Sequence, residues 1–391
     1  FTEVKLKSFL PKIDSLDLKG KLNGIIDFTQ NNSTYKPEGN LVVEDFYINN
    51  YLQGDLAMQV KGKNSYEKYD VNLSLKNKSA KNISATGELD FSKKKPEMDL
   101  DVYLKDYDIA AFSPLGEEVL SKLRGQVSGN FTAKGFLGNP DFNGALNFEN
   151  AGLTFPYLNV DYNLEGNTTV QLEGQAFKLK DITLEDTKHQ TKGSLNGYFA
   201  HENFKKWFLD LKIDTNNLLV LDTQEEEEVQ YYGTGFLDGN ATIQGLTSNL
   251  TINVNGKTNP GTIFVIPLSD VKTIDNFKLI RFKTAEQDTD NNINIDDIKG
   301  LDLNINLNVT KDALAQVVID KASGSDLTGR GNGNLNIEIN TRGKFLMKGD
   351  FEVDEGVYNF KYGGIINKPF VIQKGGTISW NGNPYEAELD I

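Results

Sequence analysis

Residues 329–391 read GRGNGNLNIEINTRGKFLMKGDFEVDEGVYNFKYGGIINKPFVIQKGGTISWNGNPYEAELDI. Leu335, Ile337 and Ile339 alternate with Asn336, Glu338 and Asn340. Phe345 and Met347 lie on one side of Lys348-Gly349-Asp350, with Phe351 and Val353 on the other. A third alternation, Ile378 to Trp380, follows Gly375-Gly376. Successive side chains of a strand point to opposite faces, so this period of two predicts a sheet with one apolar and one wet face.

The pattern recurs upstream. Leu100, Val102 and Leu104 alternate with polar residues, as do Leu209, Leu211 and Ile213. The longest run is Leu301, Leu303, Ile305, Leu307 and Val309, interleaved with Asp302, Asn304, Asn306 and Asn308. One-sided strands of this kind suit an antiparallel, meandering sheet with a solvated face rather than a parallel sheet covered on both sides. Composition agrees. Glycine is abundant at 36 residues, 23 Phe and 15 Tyr supply strand-favouring aromatics, and helical periodicity is scarce. At 10–12 residues per strand and turn, 391 residues predict about 32–39 strands.

One helix is predicted over 113–124. Ser113-Pro114 reads as a cap and first-turn proline, Glu117 and Glu118 follow, and Leu115, Val119, Leu120 and Leu123 share a face before Gly125. It is expected to cover part of the apolar face.

Internal repeats set the organisation. Leu18–Gly24, LKGKLNG, aligns with Leu123–Gly129, LRGQVSG, at an offset of 105, and the same offset carries Gly39 onto Gly144. A further copy at Gly239, GNATIQG, matches GNFTAKG at Gly129, offset 110. A period longer than one strand pair implies stacked multi-strand units, with the glycines expected at hairpin turns. The boundaries this suggests are a first β repeat over 1–112, a second over 113–234 that begins with the helix, and a C-terminal β domain over 235–391.

The composition excludes several classes. A net charge of −14 argues against nucleic-acid partners and against docking on anionic lipid surfaces by overall charge, and zero cysteines remove disulfides and thiolate metal sites. No apolar run approaches a membrane-spanning helix, and the chain opens inside a strand without Met, as expected of a fragment. His189 and His201 belong to no nucleophile–base spacing and read as turn or surface residues. Asp288-Thr289-Asp290-Asn291-Asn292 resembles the opening of a calcium loop, but Ile293 and Lys299 occupy the positions that require Gly and Glu. Gly329–Gly333 precedes a strand rather than a helix and is no phosphate cradle. Glu225–Glu228 and the acidic 286–297 segment read as solvated loops. No cofactor, no metal site and no catalytic constellation is expected.

The order GNLNIEI, GDFEVDEGVYNF, FVIQKGGTISWNGNP and AELDI, with NPGTIFVIPLSDV at Asn259–Val271 upstream, resembles the C-terminal domain of the TamB family. That family is related to the AsmA-like group and to bridge-like lipid-transfer proteins. The resemblance implies an elongated, repetitive sheet folded lengthwise into a U-shaped groove with an apolar interior. It also implies a periplasmic bridge that conducts phospholipids between inner and outer membranes, supports outer-membrane protein assembly, or both. Expected partners are phospholipid acyl chains, a TamA/BamA-like barrel contacted through the C-terminal region, and the inner membrane through an N-terminal anchor not seen here. The groove lining would be Leu100, Val102, Leu104, Leu209, Leu211, Ile213, Leu301, Leu303, Ile305, Leu307, Val309, Leu335, Ile337, Ile339, Phe351 and Val353. The alternative from residues alone is a closed β-array serving as an extracellular adhesin or carbohydrate-binding surface.

Overall fold

The computed structural model describes residues 1–6, 17–31, 34–63, 67–77, 80–116, 120–156, 158–166, 168–203, 206–225, 231–267, 300–321, 323–362 and 365–390. The calcium-loop resemblance, the acidic 286–297 segment and Glu226–Glu228 lie outside them. The chain divides into two compact units. The first holds 1–157, 161–183 and 196–207, and the second 158–160, 184–195 and 208–391.

About four in five of the described residues are in strands. In chain order the first strands are β1 (Val4–Lys5), β2 (Leu18–Asn31), β3 (Thr34–Ile48), β4 (Tyr51–Gly62), β5 (Lys68–Asn77), β6 (Ala80–Asp90) and β7 (Glu97–Asp108). Then come β8 (Ser121–Phe136), β9 (Asp141–Phe155), β10 (Val160–Leu164), β11 (Thr168–Gly174), β12 (Ala176–Asp186), β13 (Lys192–Glu202) and β14 (Lys206–Thr223). The remainder are β15 (Tyr232–Leu246), β16 (Asn249–Thr258), β17 (Ile263–Pro267), β18 (Gly300–Val309), β19 (Leu314–Asp320), β20 (Ser325–Asn340), β21 (Phe345–Tyr362), β22 (Ile366–Ile372), β23 (Thr377–Gly382) and β24 (Glu388–Asp390). The described residues hold 24 strands, of which β14 and β21 run to 18 residues each.

The expected helix is corrected where it is described, its Glu117, Glu118 and Val119 lying outside the described residues. A 3-10 helix spans Ile109–Gly116, and residues 121–124 open β8 instead of closing a helix. The Ser113 hydroxyl accepts a hydrogen bond from the Leu123 N–H at 3.2 Å, so the serine tethers the start of a strand and does not cap a helix. Among the described residues no helix is long and apolar enough to cross a membrane.

In the first unit β1 to β9 pair in sequence, each antiparallel to the next, and the ladder continues from β9 to β11 and β12. In the second unit β14, β15 and β16 form an antiparallel run. The purely antiparallel expectation fails beyond it. β16 pairs with β18 in parallel, and β17 with β19 in parallel, before β20 and β21 resume antiparallel order. A parallel pair needs a connection that returns the chain to the same end of the sheet, which alternation within a strand does not report.

The repeats are registers. Gly24 faces Leu41 and Phe28 faces Pro37 in β2–β3; Gly129 faces Leu146 and Ala133 faces Phe142 in β8–β9; Gly239 faces Gly256 in β15–β16. Adding 105 and then 110 to the first pair gives the second and the third, so one strand pairing is used three times. The shared glycines sit within strands and not at turns. A Cβ on Gly129 would meet the Ala145 carbonyl oxygen, and one on Gly239 the Asn255 carbonyl oxygen, each well inside the 3.0 Å that real Cβ contacts respect. Close approach of neighbouring backbone fixes these positions as glycine.

Candidate functional site

The registers assemble single rows of side chains across whole sheets. In the first unit Leu22 faces Val43, Val43 faces Leu56, and the row continues through Leu75, Ile83, Leu104, Gly129, Leu146 and Val170 to Leu179. Ten strands contribute, and the only position without an aliphatic side chain is Gly129. At ~4.8 Å per strand the row follows the sheet for about 43 Å. Leu22, Val43, Leu75, Leu146 and Val170 are buried, with Leu56, Ile83, Leu104 and Leu179 half-buried against them.

The second unit repeats the arrangement over six strands. Ile213, Ala241, Val254, Ile305, Ile337 and Met347 form one row, and Leu211, Ile243, Ile252, Leu303, Ile339 and Phe345 the next. Two residues on, Leu307 faces Leu335, and Val309 and Phe351 both face Gly333. The core here is built from Leu303, Val309, Leu335, Ile337, Ile339, Met347, Phe351, Val353, Ile378 and Trp380, while Ile252, Val254, Ile305 and Leu307 remain partly exposed along it.

The apolar face of the second unit turns inward. The register carries Phe264 of β17 across Ala315 and Gly329 to Gly356 of β21, eleven residues along that strand from Phe345. A straight strand would separate those positions by roughly 36 Å. Yet the Tyr231 ring lies 5.5 Å from Phe264 and 6.4 Å from Phe345, so the sheet coils its greasy side onto itself.

The opposite face is polar and cross-linked. Asn304 donates to Asn253 at 3.0 Å, Asn306 to Asn255 at 2.9 Å, Asn336 to Asn306 at 2.8 Å and Asn308 to Asn334 at 2.7 Å. These asparagines do more than solvate a surface. They form a side-chain ladder over β16, β18 and β20.

Every residue expected to line a groove falls on the apolar face of its own unit. Leu104 stands in the long row of the first unit, with Leu100 and Val102 four and two residues before it on β7. The other thirteen lie in the second unit. Leu303, Ile305, Leu307, Val309, Leu335, Ile337, Ile339, Phe351 and Val353 meet in one core, whereas Leu209, Leu211, Ile213 and Leu301 are half-buried at its margin, outside that core. Sequence reading missed the N-terminal half of the face, Leu22 to Ile83, although its alternation was visible. It also misplaced His201. That residue is only 5% exposed, on β13, with its ring 5.2 Å from Trp207, 6.0 Å from Phe142 and 6.2 Å from Phe177. Burial lowers its pKa from the ordinary 6.5. His189 is an exposed turn residue, edge-on to Phe236 at 5.1 Å. It borders a shallow cleft of the second unit with Lys188, Asn217 and Pro260, which none of the expected lining residues reaches.

A second unforeseen feature is Asp186, which is fully buried. Its carboxylate accepts hydrogen bonds from the backbone N–H of Lys188 (3.0 Å), His189 (2.6 Å) and Thr191 (2.6 Å) and from the Thr191 hydroxyl. The Thr191 hydroxyl oxygen in turn accepts from the Leu219 N–H at 2.8 Å. With every lone-pair direction of the carboxylate used within its own turn, Asp186 is a structural anchor of β12 and β14.

Long strands and an aliphatic face within each unit define the class as all-β proteins built from extended sheets. The chain belongs to the family of the TamB C-terminal domain, whose sequence model matches residues 180–391, more than half of its length. No curated protein and no solved structure matches the chain. The family is one of transport and assembly rather than of enzymes, and membership implies a place in the cell envelope and involvement in outer-membrane protein assembly and lipid transport. It also implies interaction with the outer-membrane assembly machinery.

Proposed function

We propose that this chain is a segment of a periplasmic bridge that carries phospholipid acyl chains along its apolar sheet face between inner and outer membranes. The observation that carries this reading is the row from Leu22 to Leu179, ten strands without a polar interruption, repeated over six strands from Ile213 to Met347. Exposing one CH₂ to water costs about 0.8 kcal/mol, so a sixteen-carbon chain faces a barrier on the order of 12 kcal/mol. A continuous aliphatic wall removes most of that barrier at every step along its length, and the head group stays in water. Ile252, Val254, Ile305 and Leu307 are the accessible stretch of this wall in the second unit. The C-terminal region is the part we assign to a TamA/BamA-like barrel, so that transport and barrel assembly meet at one end of the bridge.

Photo-crosslinking tests the reading. A photo-reactive side chain at Ile305, and separately at Asn306, is placed in cells carrying labelled phospholipid. Adducts at Ile305 alone are expected, since adjacent residues of β18 face opposite sides. Adducts at neither position in a folded protein would make the face a closed core and favour an adhesin-like β-array.

A further inference from the structure

The β21–β22 hairpin carries exposed apolar side chains together with lysines. Tyr362 faces Ile366, Phe360 faces Lys368 and Tyr358 faces Phe370, which sets an aromatic file on the side continuous with the core, where Tyr358 packs. Phe360 and Tyr362 stack at 6.5 Å, and Tyr358 and Phe370 at 6.2 Å. Toward the tip the file leaves the core and stands in water. Ile365 is 92% exposed, Tyr362 68% and, on the other side of the strand, Val371 85%.

Charge separates this hairpin from the rest of the chain. Residues 356–372 contain Lys361 and Lys368 and no carboxylate, in a protein of net charge −14. The carboxylates that border it have partners: Asp326 accepts from Asn359 of the hairpin at 3.1 Å, Glu355 lies 3.7 Å from Arg330, and Asp354 2.5 Å from Lys374. Lys368 holds its ammonium 5.2 Å over the Phe370 ring, so cation and aromatic form one amphipathic group.

We propose that the β21–β22 hairpin inserts into the head-group region of an anionic lipid bilayer. Apolar side chains on both sides of one strand match a medium that surrounds the hairpin, whereas a protein groove would cover one side. Aromatic rings and lysines together are the side chains favoured at a membrane–water boundary, and lysines without carboxylates are drawn to anionic lipid. The backbone sets the depth. Among the described residues β22 pairs with β21 alone, and an open strand edge is not tolerated in the hydrocarbon layer. Insertion therefore stops at the interface. This goes beyond acyl-chain conduction and stands whether or not the Ile305 wall carries lipid.

The chain has no cysteine, so Ile365→Cys accepts a single environment-sensitive fluorophore such as NBD, and Asn306→Cys is the control on the polar face. The probes are vesicles of phosphatidylcholine with and without phosphatidylglycerol. A several-fold rise and blue shift in emission are expected at position 365 with the anionic vesicles, and no change at 306. Lys361→Glu with Lys368→Glu should raise the anionic lipid concentration needed for half-binding by about thirtyfold or more. Phe370→Ser with Val371→Ser should abolish binding to both vesicle types while circular dichroism stays unchanged. The proposal is overturned if the labelled, folded protein shows no response to either vesicle. It is equally overturned if the response survives Phe370→Ser with Val371→Ser, since the fluorophore itself would then be the ligand. A response that requires an outer-membrane protein rather than lipid would reassign the hairpin to a protein partner.

Discussion

Gly129 and Gly135 lie on the same strand and separate two reasons for a mid-strand glycine. Gly129 has φ +159°, at the edge of the positive-φ range that L side chains rarely adopt, and a Cβ there would in addition strike the Ala145 carbonyl oxygen and lie 3.1 Å from Leu146 Cα. Gly135 has φ +93° and nothing within 4 Å of its hypothetical Cβ. Alanine at Gly135 meets only backbone strain, about 1–2 kcal/mol, partly offset by about 0.4–1 kcal/mol from the stiffer unfolded chain. Alanine at Gly129 must push β9 away from β8. Overpacking of this kind costs about 1–3 kcal/mol, and the one or two ladder hydrogen bonds it stretches add about 1 kcal/mol each. The expected costs are therefore ~1 kcal/mol at Gly135 and ~3–4 kcal/mol at Gly129. Trp207 belongs to the first unit and Trp380 to the second, so urea unfolding in a Trp380→Phe background reports the unit that holds both glycines. With a slope near 2 kcal/mol per molar urea, the two midpoints should differ by about 1 M. Equal shifts, or a larger one at Gly135, would refute strand approach as the reason for the repeated glycine.

Asp186→Ala leaves three backbone N–H groups and the Thr191 hydroxyl without their acceptor, and should cost about 2–3 kcal/mol; hydrogen exchange of the amides at 188–191 is the direct check. Burial lowers the folded pKa of His201, so the unfolded chain binds its proton first as pH falls. The first unit is then fully stable above about pH 6.5 and loses stability from there downward toward the lowered folded value; His201→Phe should flatten Trp207-detected stability across that window. Asn306→Asp still accepts from Asn336 but no longer donates to Asn255, which should cost about 1 kcal/mol at neutral pH and be partly restored once the carboxyl protonates, as thermal melts at two pH values would show.

The period of two made the second unit readable. Leu301–Val309 and Leu335–Ile339 occupy the face their alternation assigned, and they face one another across β18 and β20. What the alternation could not carry is a change of parity within a strand. On β3 the core residues are Leu41 and Val43 and then Phe46 and Ile48; on β7 they are Leu104 and then Tyr107; on β14 the apolar face passes from Ile213 to Leu218. Each switch is a bulge, and each holds a residue at positive φ: Asp45 (48°), Asp106 (47°) and Asn217 (62°). Asp and Asn adopt that conformation more readily than other side-chain-bearing residues, but their sequence neighbourhood looks like any polar step of an alternating strand. Ser113-Pro114 misled for a related reason. A capping serine and a serine that tethers a strand present the same residue, and the difference lies in Leu123, ten positions away.

The bulges and the glycines act on the same property of the sheet. At each bulge the positive-φ residue turns its N–H to a side chain on the adjacent strand: Asp45 to Asp55 at 3.1 Å, Asp106 to Ser128 at 2.9 Å and Asn217 to Asp238 at 2.7 Å. The extra residue is thus held by a polar partner on the neighbouring strand. A bulge bends its strand and increases local twist, and a glycine without Cβ lets the neighbouring strand close in at the bend. Flat sheets of this length would leave both faces open to water and their edges open to aggregation. Placed at recurring positions, the two devices coil each long strand, and in the second unit the coil brings Tyr231, Phe264 and Phe345 together on the inside. Inward coiling protects the aliphatic rows from other proteins without inserting a polar residue into them. The coil is encoded by asparagine, aspartate and glycine rather than by the aliphatic residues it shelters.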